Sequence, residues 1–172
     1  MLKRLTLVIG MGLLLTGCVL QARDPVFAES DGALLPASLG TSFVMENLDK
    51  DMWNRDEGTL TLRPEGHHYL ASDDKKKDVI NALFVPLDKN WWVMQATEEK
   101  GKPETYILAE VTDNALLLHP LFCDDLKEKP AAADAVSFEG QDCYLKVGQG
   151  ADYFKALIAE QKPAKMRMVS VK

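Results

Sequence analysis

Few residues in this chain could do chemistry, and their spacing decides what each is worth. The histidines are His67, His68 and His119; the cysteines are Cys18, Cys123 and Cys143. His67 and His68 are adjacent, and neighbours on a strand point to opposite faces, so the two imidazoles cannot meet on one metal without a bulge. One solvent-facing and one packed histidine is the expectation. His119 precedes Cys123 by four residues and stands close to Asp124 and Asp125, a grouping that could hold a metal or pass a proton. His119, Cys123 and Cys143 could supply three zinc ligands, but a structural site takes about four and the spacing offers no fourth. A redox pair would read C-x-x-C, which is absent. Asp73-Asp74 and Asp124-Asp125 read as solvated loop carboxylates, because acid–base catalysis needs carboxylates that face each other across a cleft. Gly148-Gln149-Gly150 could cradle an anion ahead of a helix, but it lacks a third glycine and reads as a helix-entry turn. No G-x-S-x-G elbow, phosphate loop, G-x-G-x-x-G or H-E-x-x-H is present. Trp91-Trp92 is a different signal. Alternation sends one indole inward, as core or the wall of an apolar pocket, and one outward, where it could touch a partner, a sugar or a lipid. Trp91 and Trp92 are therefore the candidate contacts. No catalytic residue, metal or cofactor is expected.

The N-terminus carries an address. Lys3 and Arg4 precede an apolar run over residues 5–15, followed by small residues, which is the plan of a secretory signal peptide. The run is shorter than the roughly 20 residues that span a bilayer. Leu15-Thr16-Gly17-Cys18 resembles the lipobox of bacterial lipoproteins. The resemblance implies that the Cys18 thiol carries a diacylglyceryl group, that residues 1–17 are removed, and that Cys18 becomes the acylated N-terminus. Two or more acyl chains anchor stably where one does not. In Gram-negative lipoproteins an Asp after the Cys usually means inner-membrane retention; Val19 stands there, so the resemblance implies the periplasmic face of the outer membrane. In that oxidising compartment, Cys123 and Cys143 form an even pair expected to close a structural disulfide.

The chain has 172 residues, 47% of them apolar, and a net charge of −6 that cleavage before Cys18 would deepen to −8. This is a composition for one globular domain. Its acidity argues against nucleic acid, which needs clustered Lys and Arg. Residues 18–41 mix Asp24-Pro25, Ser30-Asp31-Gly32 and Pro36-Ala37-Ser38 with little apolar periodicity and read as the lipidated N-terminus and tether. From there to 172 the chain reads as a single β-rich domain. Runs at 59–63, 67–72, 80–87, 91–96, 106–111 and 115–119, separated by turn signals, indicate antiparallel hairpins. Short strands are expected at 136–138, 143–147 and 166–171. Tyr153, Phe154, Leu157 and Ile158 fall on one face of a helix over 152–161 that Pro163 ends. The expected fold is mainly β: an antiparallel meander forming a small barrel or curved sheet, with one C-terminal amphipathic helix. That architecture is loosely similar to the lipocalins, although Gly40-Thr41-Ser42-Phe43 lacks the Trp of their G-x-W motif.

These features lead to a non-catalytic, membrane-anchored envelope lipoprotein that binds a small apolar ligand or a protein partner in the periplasm. Two alternatives stand beside it. One is an inhibitor of a lysozyme-type hydrolase, whose basic surface an acidic protein would attract. The other is an envelope enzyme using His119.

Overall fold

The computed structural model describes residues 19–171 apart from 57, 75–78 and 98–100. Residues 1–17, Cys18 and most of the charged loop after Asp74 lie outside the described residues. Strands β1 (Gln21–Ala22), β2 (Ser42–Asp49), β3 (Met52–Arg55), β4 (Leu60–Glu65), β5 (His68–Asp73), β6 (Val79–Asp88), β7 (Trp91–Thr97), β8 (Glu104–Val111) and β9 (Ala115–Pro120) come first. Helices α1 (Cys123–Lys127) and α2 (Pro130–Ala133) follow, then strands β10 (Val136–Glu139) and β11 (Asp142–Leu145), helix α3 (Ala151–Ile158) and strand β12 (Met166–Ser170).

Eight of these strands close a barrel. β4 to β9 form an antiparallel meander, β12 pairs with β9, and β2 joins β12 to β4 through Met168↔Met45 and Phe43↔Leu60. Closure removes the unpaired edges that an open sheet would expose. Alternation along the strands turns Phe43, Leu62, Tyr69, Phe84, Ile107, Leu116 and Leu118 into the interior, where they are buried. An eight-stranded barrel is about wide enough for side chains to fill.

The opposite faces of β6, β7 and β8 are also buried. Leu83, Val85, Val93, Tyr106 and Leu108 point outward into a second core with Phe27, Leu126, Phe154 and Leu157. That outer layer consists of residues 19–27, α1, α2, the β10–β11 hairpin and α3. The unbroken apolar runs at 80–87 and 106–111 now have a cause: a strand covered on both faces has no polar side to alternate with. Between Pro120 and Val136, where the sequence pattern loosens, the chain forms two short helices instead of a plain loop. Cys123 at the start of α1 is bonded to Cys143 on β11, with their Cα atoms 5.5 Å apart, inside the range such a bridge requires.

The tether reading of residues 18–41 is corrected from Val19 onward. Val19 is 1% exposed and Leu20 is 0% exposed. The Leu20 N–H donates to the Leu121 carbonyl at 2.8 Å, and the Tyr106 N–H donates to the Leu20 carbonyl at 3.0 Å. Gln21 pairs with Thr105 on β8 and, in parallel, with Tyr144 on β11. Further along, a 3-10 turn at Ala37–Leu39 crosses the barrel end that carries the β4–β5, β6–β7 and β8–β9 turns. Leu35 and Leu39 enter the interior there. The Leu35 N–H donates to Tyr69 Oη at 2.8 Å, and Ser170 Oγ donates to the Leu39 carbonyl at 2.6 Å. Scattered apolar residues in this segment fill separate positions on the barrel, so no periodicity marks them.

On the outside of the barrel Glu46 fastens three strands. It accepts from Arg167 at 2.6 Å and from Arg55 at 3.2 Å, and the Arg167 guanidinium lies 4.2 Å above the Trp53 ring centre. The Arg167 hydrogen bonds hold its carboxyl below the usual carboxylate range against the opposing effect of burial.

Candidate functional site

Two concavities differ in place and in kind. The first is inside the barrel: a cavity of about 40 Å³ lined entirely by apolar side chains, among them Met45, Met94, Met168, Leu62, Phe84 and Ile107. A dry cavity that admits a benzene-sized molecule measures about 150 Å³. As packed, the interior is a core and not a vessel.

The second is a groove of about 470 Å³ on the outer wall, between residues 25–29 and strands β5 to β8. Its floor includes Gln95, outward-facing on β7, which is braced from the outer core by Tyr106, outward-facing on β8. Gln95 Oε1 accepts from the Phe27 N–H at 3.0 Å and from Tyr106 Oη at 3.0 Å, while Gln95 Nε2 donates to the Phe27 carbonyl at 3.2 Å. Tyr106 Oη also accepts from the Val26 N–H at 3.0 Å. Two buried polar side chains thus satisfy the backbone of a strap that would otherwise lose its water-bound partners. Burial raises the Tyr106 hydroxyl pKa far above its ordinary value, so it stays a neutral donor and acceptor.

Around this floor stand Glu29, His68, Asn81, Leu83, Thr97 and Glu104. His68 Nδ1 lies 3.3 Å from Glu29 Oε1, and His68 Nε2 lies 3.8 Å from Glu65 Oε2. Burial pushes the Glu104 carboxyl above the ordinary carboxylate range. A carboxylate held partly out of water gains from a cationic or hydrogen-donating visitor. The volume falls within the roughly 300–1,000 Å³ of ligand clefts, and a mostly polar rim over an apolar strap suits a polar surface group more than a lipid tail.

The residues singled out from the sequence lie elsewhere, except His68. Trp92 packs at the barrel interior and Trp91 on the outer core. Trp91 packs against the His119 ring, tilted by 47° with centroids 4.9 Å apart, and is half-buried. Neither indole lines the groove. His119, 7% exposed, is kept neutral first by burial, which lowers its pKa, with Glu110 opposing. Asp124 and Asp125 pair instead with Lys127 at 2.9 Å and Lys162 at 3.8 Å, so the proposed grouping of His119 with these aspartates does not assemble. His67 sits in a turn with Nδ1 3.1 Å from the Gly32 carbonyl. Asp74 Oδ1 accepts from the Thr59 N–H at 3.2 Å. Gly148 takes φ 90° and Gly150 precedes α3 as an entry turn. Among the described residues no three His, Cys, Asp or Glu side chains are grouped as a metal site, and no helix is long and apolar enough to cross a membrane.

Sequence reasoning missed Glu29 and Glu104, because one lay in the supposed tether and the other at a loop edge. Gln95 was legible: a lone amide within the apolar run at 91–96 must find a partner on whichever face it occupies. No protein-family model matches the chain, and no curated protein or solved structure matches it either.

Proposed function

We propose that this is a lipid-anchored envelope protein that binds a partner instead of catalysing a reaction, and that it binds on the outside of its barrel, at the groove between residues 25–29 and strands β5 to β8. One contrast carries the reading: about 40 Å³ of dry space inside against about 470 Å³ of polar-rimmed space outside. The groove brings Glu29 and Glu104 together in a chain of net charge −6. That favours a partner which presents basic or hydrogen-donating groups, with association that weakens as salt rises. The residues best placed by sequence for catalysis are dispersed, which supports binding over chemistry.

A second reading, carriage of a small apolar ligand, draws on the interior cavity and its three methionines, whose flexible side chains can yield space. Native mass spectrometry of the oxidised protein separates the two. A lipid-mass adduct lost on unfolding supports carriage and counts against the groove. A bare monomer leads to titration with a basic protein, c-type lysozyme, followed by amide shifts. Shifts confined to residues 27–29, 95–97 and 104, weakened by Glu29→Gln with Glu104→Gln, support the groove; shifts elsewhere sink it. Inhibition assays against c-type and g-type lysozymes test the inhibitor alternative in the same samples.

A further inference from the structure

We infer that the domain rests directly on the bilayer, with the surface that carries Phe122 and Phe138 against the lipid headgroups. This inference depends on reading Cys18 as the acylated N-terminus. A flexible spacer of about 20 residues would let a domain roam roughly 25 Å from its anchor. Here the slack is one peptide unit. Cys18 is bonded to Val19, whose Cα is about 3.8 Å away, and Val19 is 1% exposed and bridged to Phe122. Leu20, hydrogen-bonded on both sides, fixes the next residue to the barrel wall. An acyl chain attached at residue 18 therefore orients the whole rigid body.

The surface beside that point is suited to an interface. Phe122 is 40% exposed and Phe138 is 36% exposed. They flank the disulfide: Phe122 precedes Cys123, and Phe138 is the strand partner of Cys143. Lys127 Nζ lies 5.7 Å from the Phe138 ring centre, placing an ammonium beside an apolar ring, as in helices that lie at headgroup depth. Three acidic residues nearby have cationic partners: Asp124 pairs with Lys127, Asp125 with Lys162, and Glu139 with Arg23 at 2.7 Å. Pairing reduces the repulsion that an acidic protein would feel from anionic lipid.

The test compares two full-length, lipidated proteins in vesicles of phosphatidylethanolamine with a minor share of phosphatidylglycerol. One is native; the other has about twelve Gly and Ser residues inserted between Cys18 and Val19. Intact mass first reports the diacylglyceryl group. Without it, the anchor reading fails and the docking inference falls with it. With it, both proteins should float with the vesicles, and backbone amides at 121–127 and 138–143 should exchange about tenfold more slowly in the native protein than in the spaced one. Equal exchange in two floating, lipidated proteins overturns docking and leaves the anchor standing. Phe122→Ser with Phe138→Ser provides the second check. It should float and keep its disulfide, yet exchange like the spaced protein; exchange like the native protein overturns the assignment of this surface.

Discussion

Gly32 leaves no room for a side chain. A Cβ placed there would collide with the Leu83 side chain and lie 2.6 Å from the His67 carbonyl oxygen. The Gly32 carbonyl also lies 3.1 Å from His67 Nδ1, so the strap is pressed against the barrel at this point. Gly32→Ala is expected to cost about 1–3 kcal/mol through forced displacement, read as a lowered midpoint in urea with an unchanged slope. Glu104 makes a prediction of opposite sign. Burial raises its carboxyl pKa, so between the ordinary value and the raised one the folded protein holds a proton that the unfolded chain has released. Its contribution to stability therefore rises as pH falls from the raised folded value to the ordinary unfolded one. Glu104→Gln should stabilise the protein at neutral pH, and the difference from wild type should shrink as pH falls through that window. A constant difference across the titration would show that burial is not the cause.

At the scale of elements, the strands were legible and the strap was not. The runs at 59–63, 91–96 and 115–119 have turn chemistry at both ends, and each occurs as a strand within a residue or two. β3 escaped notice because it is mostly exposed and, among the described residues, pairs only with β2, so burial imposes no pattern on it. Residues 19–41 escaped for another reason. Val19, Leu20, Ala22, Phe27, Leu35 and Leu39 are all buried, but each meets a different part of the barrel, and periodicity reports only residues that share one face. The disulfide was legible by counting, yet its work is local: it pins α1 to β11, beside the β1 strand that enters the same sheet. Replacing Cys123 and Cys143 together by Ser should lower stability by roughly 3 kcal/mol, the entropy of a closed loop of about 20 residues. The barrel, which has its own core, should persist; loss of exchange protection should be greatest at β1, β10, β11 and α1.

Across the whole molecule, the groove is the product of two layers that the sequence presents as one. A meander implied a sheet with one wet face. The fold instead covers β6, β7 and β8 on both sides, and the groove lies where the outer layer stops short of the wall. Such an edge is set by tertiary packing and has no local signature. The barrel also depends on its last strand, because β12 joins β2 to β9 through Met168↔Met45 and Leu116↔Met168. Truncation after Lys165 should expose both edges and abolish cooperative unfolding, as followed by circular dichroism and dye binding. A stable monomer lacking those residues would show that closure is not required.

That last pairing also sets an order of events. A chain made N-terminus first presents Val19 and β2 long before β12 arrives, and the positions Val19 and Phe43 occupy wait on residues more than a hundred positions downstream. Until β5 to β9 and Phe122 have emerged, the apolar strap has nowhere native to go. Contacts so distant in sequence are slow to form, so the nascent protein passes through an interval in which its adhesive N-terminal third needs shelter. A holdase acting in that interval would determine yield, although the finished barrel has no further use for it.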